Sequence, residues 1–361
     1  MTAPLVIIAA GGTGGHMFPA QSLAEAMLAA GWRVKLSTDR RGARYAGGFP
    51  PEVSREIVGA GTFAGRGMVQ KLLVPFRIAG GVASALWAMR RDRPDVVIGF
   101  GGYPAFPAMA AAWILRLPRM IHEQYGVLGR VHRVFARRVD RVACSVRPTA
   151  LPPGTNAIHT GNPVRGSIRA VAGSAYDPGP PTEILVMGGS QGASILSQVV
   201  PAAIALLPAE MRGRLRMSHQ ARDADHDAAV AAYGALDVPA DIQPFFDDMP
   251  ARLQRAALVI SRSGASSVAD IAVVGRPAIF IPLAIAIRDE QTANAQGLVA
   301  AGAAQIIQEP ALAPPDLAAH IAAILGDPAK AATMAEAARG QGRVDAVDRL
   351  KAEILKLAGH A

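Results

Sequence analysis

The stretch LVIIAAGGTGGH, residues 5–16, runs from six apolar residues into a glycine-rich turn, and apolar residues at helical spacing follow it. A second stretch, ILVMGGSQGA at 184–193, repeats this order half a chain later. Glycines let backbone N–H groups approach an anion closely, and the dipole of the following helix adds partial positive charge there. Two such strand–turn–helix units predict two similar α/β domains that face one ligand-filled cleft.

A third glycine turn, GFGGY at 99–103, follows the strand-like VVI at 96–98. Neither of the two longer turns has the glycine spacing of the dinucleotide fingerprint, and neither ends in the Gly-Lys-Ser/Thr of a P-loop. A tight turn without any ligand is therefore the alternative for each turn taken singly. Taken as a set, the turns favour binding sites for phosphate groups.

Apolar periodicity predicts alternating strands and helices on both sides of a Gly- and Pro-rich join at 161–181. The strands are predicted at 5–10, 33–37, 95–99, 118–122, 140–144, 157–160, 183–187, 214–218, 240–244, 257–260, 278–281 and 304–307. The helices are predicted at 17–30, 71–92, 105–116, 127–137, 192–207, 224–234, 249–255, 265–274, 290–301 and 314–325, with an amphipathic final helix within 344–358. Such alternation predicts parallel, doubly wound sheets that bind ligands at the carboxyl ends of their strands.

The composition is that of a globular protein large enough for two domains, with 361 residues, of which 51% are hydrophobic and 18% charged. No leader peptide and no membrane-spanning stretch is predicted. The single cysteine, Cys144, lies in an apolar run typical of a core and excludes an intramolecular disulfide. These features favour the cytoplasm.

The formal net charge of +9 indicates a preference for anionic partners or simply a basic surface. The sequence contains no nucleic-acid recognition module, so nucleic acid is not predicted as a partner. An anionic membrane surface or a pyrophosphate-containing substrate is the more specific explanation.

Polar residues follow two predicted strands of the first half. His16 closes the first glycine turn, where it would act as a general base or hydrogen-bond donor, or would only cap the helix. His122, Glu123 and Gln124 end another strand. Glu123 would bind a sugar hydroxyl, act as the base, or cap the next helix, and the residues alone leave these alternatives open.

In the second half, Arg262, Ser263 and Gly264 precede a predicted helix, and Asp270 stands about one turn further on. Small hydroxyl residues at a helix N-terminus suit a phosphate, and a carboxylate one turn later can accept hydrogen bonds from a ribose. An ordinary N-cap with an acidic first turn is the alternative.

A second polar helix face is predicted near residue 290. Gln291 and Asn294, with Glu290, share one turn, which suits the hydroxyls and acetamide of a neutral sugar or is simply a solvated helix start. The chain has no Asp-x-Asp after a strand and no Cys/His cluster, so neither a metal site nor a cofactor is predicted.

The segment GRGMVQKLLVPFR at 65–77 mixes basic and apolar residues near a predicted helix start. One interpretation buries Leu72, Leu73 and Phe76 in the core. The other lays them on anionic lipid, with Lys71 and Arg77 at a basic rim.

In this order, the motifs resemble the MurG family of GT-B glycosyltransferases, which add N-acetylglucosamine to a lipid-linked muramyl pentapeptide in peptidoglycan synthesis. The matching stretches are Gly11–His16 with Phe18 and Pro19, Gly101–Tyr103, His122–Gln124, Gly161–Arg165, Gly188–Ala193, Asp247–Met249, Arg262–Ala265 and Gln291–Asn294. The resemblance implies two Rossmann-like, doubly wound domains facing a central cleft. It assigns 1–162 with the C-terminal helix 344–361 to acceptor and membrane binding, and 163–343 to UDP-sugar binding.

The resemblance also implies roles for single residues. Phe246 matches a position whose backbone reads uracil, and Asp270 stands where the family usually has Glu against the ribose. The implied donor-binding residues are Thr13, Gly14, Gly15, Arg165, Ser190, Gln191, Gly192, Phe246, Arg262, Ser263, Gly264, Asp270, Gln291 and Asn294. The implied acceptor side comprises Gly102, Tyr103, Gln124 and Tyr125, with His16 and Glu123 as candidate bases.

One loop departs from the family pattern on the acceptor side. Tyr125, Leu128, Arg130 and His132 stand where the family usually has Asn, Pro, Leu and Asn.

The activity that the resemblance implies is an inverting transfer from UDP-N-acetylglucosamine to the 4-hydroxyl of the muramyl group of lipid I, in service of wall growth, cell shape and division. The implied location is the cytoplasmic face of the inner membrane, with other wall-synthesis proteins as potential partners. The alternatives are a UDP-sugar transferase for another lipid, or an inactive nucleotide-sugar-binding scaffold.

Overall fold

The structure, a computed structural model, describes residues 3–11, 14–40, 42–58, 74–189, 192–285 and 289–359. Contacts divide the chain into two compact units. One unit is Met1–Arg165 together with Asp345–Ala361, and the other is Gly166–Val344. Each unit is built on its own all-parallel sheet.

The first unit contains a seven-stranded sheet in the order β3-β2-β1-β4-β5-β6-β7. Its strands are β1 Leu5–Ala10, β2 Arg33–Thr38, β3 Ser54–Ile57, β4 Val96–Gly101, β5 Arg119–Glu123, β6 Arg141–Cys144 and β7 Ala157–His159. Its helices before the second unit are α1 Gly14–Ala29, α2 Val74–Arg91, α3 Ala105–Ile114 and α4 Arg130–Phe135, with a 3₁₀ segment at Gly42–Gly48. The strand order reverses between β1 and β4, where ligands of doubly wound sheets usually bind.

The second unit contains a six-stranded sheet in the order β10-β9-β8-β11-β12-β13. Its strands are β8 Thr182–Met187, β9 Leu215–Gln220, β10 Ala240–Gln243, β11 Ala256–Ser261, β12 Ala278–Phe280 and β13 Ala304–Ile306. Its helices are α5 Gly166–Arg169, α6 Ser194–Ala205, α7 Ala209–Arg212, α8 Asp223–Gly234, α9 Met249–Arg255, α10 Ala265–Val274, α11 Glu290–Ala300, α12 Pro314–Leu325 and α13 Pro328–Gln341, with a 3₁₀ turn at Glu309–Ala311. The predicted pair of doubly wound parallel sheets is confirmed.

Alternate residues of the central strand β1 pack into different cores. Val6 and Ile8 join one apolar cluster with α1, whereas Ile7 and Ala9 join another with α3. A strand buried on both faces needs a continuous apolar run, which explains why the sequence at 5–10 does not alternate. The sheet is therefore covered by helices on both faces.

The C-terminal helix α14, Ala346–Leu357, packs on the first unit. Leu350 and Ile354 lie in the same apolar cluster as α1. Glu353 on this helix accepts a hydrogen bond from Nε of Arg141 at 3.2 Å. One amphipathic face thus buries the last helix against the N-terminal core.

Several secondary-structure predictions need correction, and the four-residue helices α5 and α7 were also not predicted. Strand β3, Ser54–Ile57, was not predicted, because it lies at the sheet edge, is mostly exposed and has no apolar pattern. Helix α13, Pro328–Gln341, was also missed, since its buried side is largely alanine and its amphipathic signal is weak. The helix predicted at 127–137 is only Arg130–Phe135, because Gly129 is extended and its N–H bonds to Glu123.

Arg276 holds the second unit together in a way that the sequence did not indicate. Its side chain is fully buried and donates hydrogen bonds to backbone carbonyls, including those of Leu253 at 2.9 Å and Ala175 at 3.1 Å. Burial lowers the pKa of this guanidinium to about 10, and the nearby Arg339 contributes. The carbonyl dipoles around Arg276 thus take the place of water around a buried charge.

Candidate active site

In the first unit, glycines hold the carboxyl ends of β1 and β4 close together. A Cβ on Gly102, where φ is +74°, would lie 2.5 Å from the carbonyl oxygen of Gly11. A Cβ on Gly101, where φ is +102°, would lie 2.9 Å from Cδ2 of His16. Both backbone conformations are ones that only glycine adopts easily. The third glycine turn therefore brings the first turn and His16 into direct contact with the end of β4.

Glu123, the last residue of β5, is buried, and both oxygens of its carboxylate accept hydrogen bonds. Oε1 accepts the N–H of Tyr125 at 3.1 Å, and Oε2 accepts the N–H of Gly129 at 2.8 Å. Oε2 also lies 2.8 Å from Nδ1 of His132. Burial acts to raise the pKa of Glu123, but the His132 ring and the two N–H groups outweigh it, so the pKa lies below its usual value. This carboxylate organises the loop that follows it.

His16 lies half-buried on the first turn of α1. Its ring meets that of Tyr125 edge-on, with centroids 5.8 Å apart. Burial lowers the pKa of His16 to about 4; His132 lowers it further, and Glu123 acts in the opposite direction. The ring is therefore neutral at physiological pH, which is the form that accepts a proton.

His122 and Gln124 form a second buried polar pair beside Glu123. Nε2 of His122 lies 3.1 Å from the carbonyl oxygen of Gly161, and its Nδ1 lies 3.2 Å from Nε2 of Gln124. Burial lowers the pKa of His122 to about 4, so a neutral ring donates to Gly161 and accepts from Gln124. Oε1 of Gln124 finds no partner within the described part of the chain.

The remaining predicted acceptor residues surround this group. Nη1 of Arg130 donates to the hydroxyl of Tyr103 at 3.0 Å. Arg165, which was predicted to bind the donor as part of the second domain, belongs to this first unit, and its guanidinium lies 5.0 Å from the ring centroid of Phe18. The structure thus gathers His16, Tyr103, Glu123, Gln124 and Tyr125 at one edge of the first sheet, as their positions after strands predicted.

In the second unit, the glycine turn after β8 is tightly closed. A Cβ on Gly188 would lie 2.7 Å from the backbone N of Ala193, and one on Gly192 would lie 2.4 Å from Cγ of Arg222. Helix α6 follows at Ser194. The backbone has no room for side chains at these two positions, as expected of a loop that turns sharply into a helix.

The segment after β11 places hydroxyl groups at the N-terminus of α10. Ser263 is fully buried, and its Oγ has no partner among the described residues; the same is true of Oγ of Ser266. Backbone N–H groups at a helix N-terminus attract anions. Two unengaged hydroxyls beside such a terminus are suited to a phosphate ligand.

Arg262 takes a different position from the one expected of a phosphate contact. Its Nη1 donates to the carbonyl oxygens of Ile281 and Pro282 at 3.1 and 3.2 Å, and to Oε2 of Glu309 at 2.6 Å. Glu309 also accepts the N–H of Ala284. Arg262 therefore braces the loop after β12, and this contribution of Glu309 had no signal in the sequence.

Two further predicted residues brace the same region. Nδ2 of Asn294 donates to the carbonyl oxygen of Ser263 at 3.0 Å, and Oε1 of Gln291 accepts the N–H of Leu283 at 3.1 Å. Helix α11 is thereby tied to the loops after β11 and β12. Asp270 is buried on α10. The second unit thus brings Arg262, Ser263, Gln291 and Asn294 together.

The ring of Phe246 packs against the guanidinium of an arginine that had no signal in the sequence. The guanidinium carbon of Arg252 lies 3.8 Å from the centroid of the buried Phe246 ring. Arg252 also donates to Asp248 at 2.7 Å, Asp241 at 2.5 Å and Oγ of Ser218 at 2.8 Å. Arg252 therefore fixes the conformation of the loop after β10 through these contacts.

Some predictions fall outside the described residues: Thr13, Lys71, Leu72, Leu73, Ser190 and Gln191. Within the described ranges, no group of three or more His, Cys, Asp or Glu side chains is arranged to hold a metal ion. Among the helices of those ranges, none combines the length and the apolar character needed to cross a bilayer.

Comparison with known proteins assigns both halves of the chain. Residues 6–144 match the N-terminal domain of glycosyltransferase family 28, and residues 183–350 match its C-terminal domain. Among solved structures, MurG from Acinetobacter baumannii is 30% identical with a TM-score of 0.81, covering 98% of this chain and 100% of that one. A glycosyltransferase of kitacinnamycin, 16% identical with a TM-score of 0.70, shares the fold.

Curated relatives match over their full length. A Rhodospirillum rubrum protein named UDP-N-acetylglucosamine--N-acetylmuramyl-(pentapeptide) pyrophosphoryl-undecaprenol N-acetylglucosamine transferase is 43% identical, covering 100% of this chain and 94% of its own. A protein of the same name from Methylobacterium sp. is 44% identical, covering 98% of this chain and 97% of its own. The chain therefore belongs to glycosyltransferase family 28 and, within it, to the MurG family of N-acetylglucosamine transferases with the GT-B fold.

Proposed function

We propose that the chain transfers N-acetylglucosamine from UDP-N-acetylglucosamine to the 4-hydroxyl of the N-acetylmuramyl group of lipid I, with inversion at the anomeric carbon. The observation that carries the proposal is the full-length identity of 43–44% to transferases named for this reaction. The polar residues at the strand ends of the first unit suit the acceptor, and those of the second unit suit the donor.

We assign the acceptor to the first unit and the donor to the second. In the transfer, the acceptor oxygen bonds to the anomeric carbon as the bond to the UDP oxygen breaks, and the electron pair leaves with UDP. Neutral His16 takes the proton of the hydroxyl. The N-terminus of α10, with Ser263 and Ser266, faces the charge that develops on the leaving diphosphate.

For the nucleoside, the loop carrying Phe246 is assigned to uracil and Asp270 to the ribose, as the family resemblance implies. Gln291 and Asn294 are assigned to the sugar, and the glycine turns at 11–15 and 188–193 to the substrates' phosphates and sugars.

Asp270→Ala should weaken binding of UDP-N-acetylglucosamine by about 1–3 kcal/mol, because its hydrogen-bond partners lose an acceptor. Unchanged donor affinity in calorimetry would remove Asp270 from the ribose site.

We further propose that the first unit lies on the cytoplasmic face of the cell membrane as a peripheral protein. Phe76 and Trp87 on α2 are 75% and 65% exposed. They are about three helical turns apart and so project from one side, opposite the buried Ala85 and Met89. Arg91, whose guanidinium lies 5.6 Å from the Trp87 ring centroid, adds basic charge beside this apolar strip. The arrangement suits an anionic lipid surface.

The test of the reaction is transfer of radiolabelled sugar from UDP-N-acetylglucosamine to a short-chain lipid I analogue. We expect a labelled disaccharide product, formed equally well with EDTA present. Transfer only to a different lipid would favour a related transferase, and donor binding without transfer to any acceptor would favour a scaffold. Loss of transfer in EDTA, restored by Mg²⁺, would show that the pyrophosphate charge is neutralised differently.

A further inference from the structure

His132 is a buried residue of α4 whose ring pairs with the carboxylate of Glu123. The side chains of His132 and Glu123 are 2% and 1% exposed, and Nδ1 of the ring lies 2.8 Å from Oε2 of the carboxylate. The opposite ring nitrogen, Nε2, has no hydrogen-bond partner within the described residues. A buried polar atom without a partner destabilises the folded chain, so a natural chain retains one where it serves a purpose.

The second observation is that His132 and His16 converge on the same point. A Cβ on Gly101 would lie 3.0 Å from Nε2 of His16 and 3.3 Å from Cε1 of His132. Both rings therefore border the space that a side chain at Gly101 would fill. The unpartnered edge of His132 therefore belongs to the surroundings of His16, whereas its other edge is attached to Glu123.

The third observation concerns Glu123. Each of its oxygens already accepts at least one N–H, and Oε2 accepts from both Gly129 and His132. The carboxylate is only 1% exposed and holds three donors, so a substrate hydroxyl would reach it only if the surrounding loop moved. Its geometry is that of a group that holds other groups in place.

We propose that His132, anchored by the carboxylate of Glu123, is a positioning residue for the neighbouring His16, so that Glu123 serves the transfer through His132 and not as the base. This inference rests on the proposed function, in which His16 is the base.

The charges around His16 favour this arrangement. A substrate diphosphate near the first glycine turn would favour protonation of His16 and so remove the free base. Among the described residues, His132 from α4 and Glu123 from the end of β5 act on His16 electrostatically, and the Tyr125 ring from the following loop meets it edge-on. Burial of His16 and the adjacent His132 lower its pKa, and Glu123 opposes them only partly. His132 thus counteracts the effect of a nearby phosphate.

The test uses His132→Asn, which keeps an amide that can donate toward Glu123 but removes the second nitrogen and the ring. A ring-nitrogen NMR titration of His16 in the unliganded protein should show its pKa rising by about one unit, because a group that opposes protonation is gone while Glu123 remains. The acid limb of the pH profile of kcat/KM should move in the same direction, with UDP affinity within threefold. An unmoved His16 titration would overturn the proposal.

A double-mutant cycle then separates the two roles of Glu123. If Glu123 acts through His132, Glu123→Gln should lower kcat at least tenfold in the wild-type background but no more than threefold in the His132→Asn background. If it is the base, the loss should be about 10²–10⁴-fold in both backgrounds, which would contradict the inference. His132→Gln serves as a second variant should His132→Asn fail to fold.

His226→Asn is the matched control, since His226 is a partly exposed histidine of the second unit and should change neither titration nor profile. The titration needs no substrate. A shifted His16 titration in a protein that transfers no sugar would therefore count against the proposed function alone. Normal transfer with no shift would count against this inference alone.

Discussion

The guanidinium of Arg252 lies against the face of the Phe246 ring, 3.8 Å from its centroid, while its nitrogens reach Asp241 and Asp248. Cations attract the faces of aromatic rings, more strongly when both are withdrawn from water. One buried arginine therefore fixes both the aromatic ring and the acidic residues on either side of it. The loop that we assign to uracil is held from inside the unit, before any ligand arrives.

Arg252→Met should remove this support. We expect the free energy of unfolding to fall by about 1–3 kcal/mol, because three hydrogen-bonded acceptors lose their donor, and UDP affinity to fall at least several-fold. Urea unfolding and calorimetry measure the two effects. Arg349→Met is the control, since its exposed pair with Asp345 on one helix should contribute less than about 0.5 kcal/mol. Equal effects of the two variants would refute the role given to Arg252.

Glycine-to-alanine changes should separate tight packing from ligand approach. Gly188→Ala places a methyl group 2.7 Å from the backbone N of Ala193, which cannot move independently, so we expect a loss of more than about 2 kcal/mol in urea unfolding. Gly264→Ala meets no atom within 4 Å and should cost less than about 1 kcal/mol. If a phosphate approaches α10, Gly264→Ala should nevertheless weaken UDP binding. Unchanged UDP affinity would place the phosphate elsewhere.

Buried histidines should make the protein lose stability in mild acid. Burial lowers the pKa of His219 to about 4, and its ring lies between the hydroxyls of Tyr233 and Ser197. The unfolded chain binds a proton near pH 6.5 and the folded chain only near pH 4, so the stabilisation present above pH 6.5 is lost as pH falls through this window. The contribution is on the order of 3 kcal/mol.

The measurement is the slope of unfolding free energy against pH between 4 and 6.5. His219→Gln should make this slope shallower by up to the amount that the uptake of one proton on unfolding contributes, whatever its effect on stability at pH 7. His226→Gln, at a partly exposed position, is the matched control for replacing a histidine by glutamine. An unchanged slope in His219→Gln would mean that His219 is protonated in the folded protein.

Membrane attachment should depend on the exposed aromatic residues of α2. Phe76→Ser with Trp87→Ser should reduce binding to vesicles that contain anionic lipid without lowering the melting temperature, since both side chains are exposed. High salt should also weaken binding by screening the arginines. Phe245→Ser, which alters an aromatic residue of the second unit that is 58% exposed, is the control. A large fall in melting temperature in the double variant would instead favour a core role for this helix.

Much of the fold could be predicted from local patterns of apolar residues and glycines in the sequence. The apolar runs, the glycine turns and their alternation with helical spacing predicted twelve of the thirteen described strands. Buried parallel strands carry a strong local signal, because both faces must be apolar. Edge strand β3 and the alanine-rich α13 carry little signal, since neither depends on large buried side chains. His16, Glu123 and Ser263 were identifiable because they follow strands at the edge where ligands bind.

Tertiary structure alone decided how those residues are used. No spacing in the sequence indicates that the Glu123 carboxylate is occupied by His132, that Arg262 braces a loop against Glu309, or that Arg252 supports Phe246. The same holds for Arg276, whose charge is accommodated by carbonyls from distant segments. Periodicity is a property of neighbouring residues, so the sequence by itself determined the two sheets. It also predicted the edge of each sheet at which a ligand would bind. The state of a buried charge depends on partners that only folding brings together.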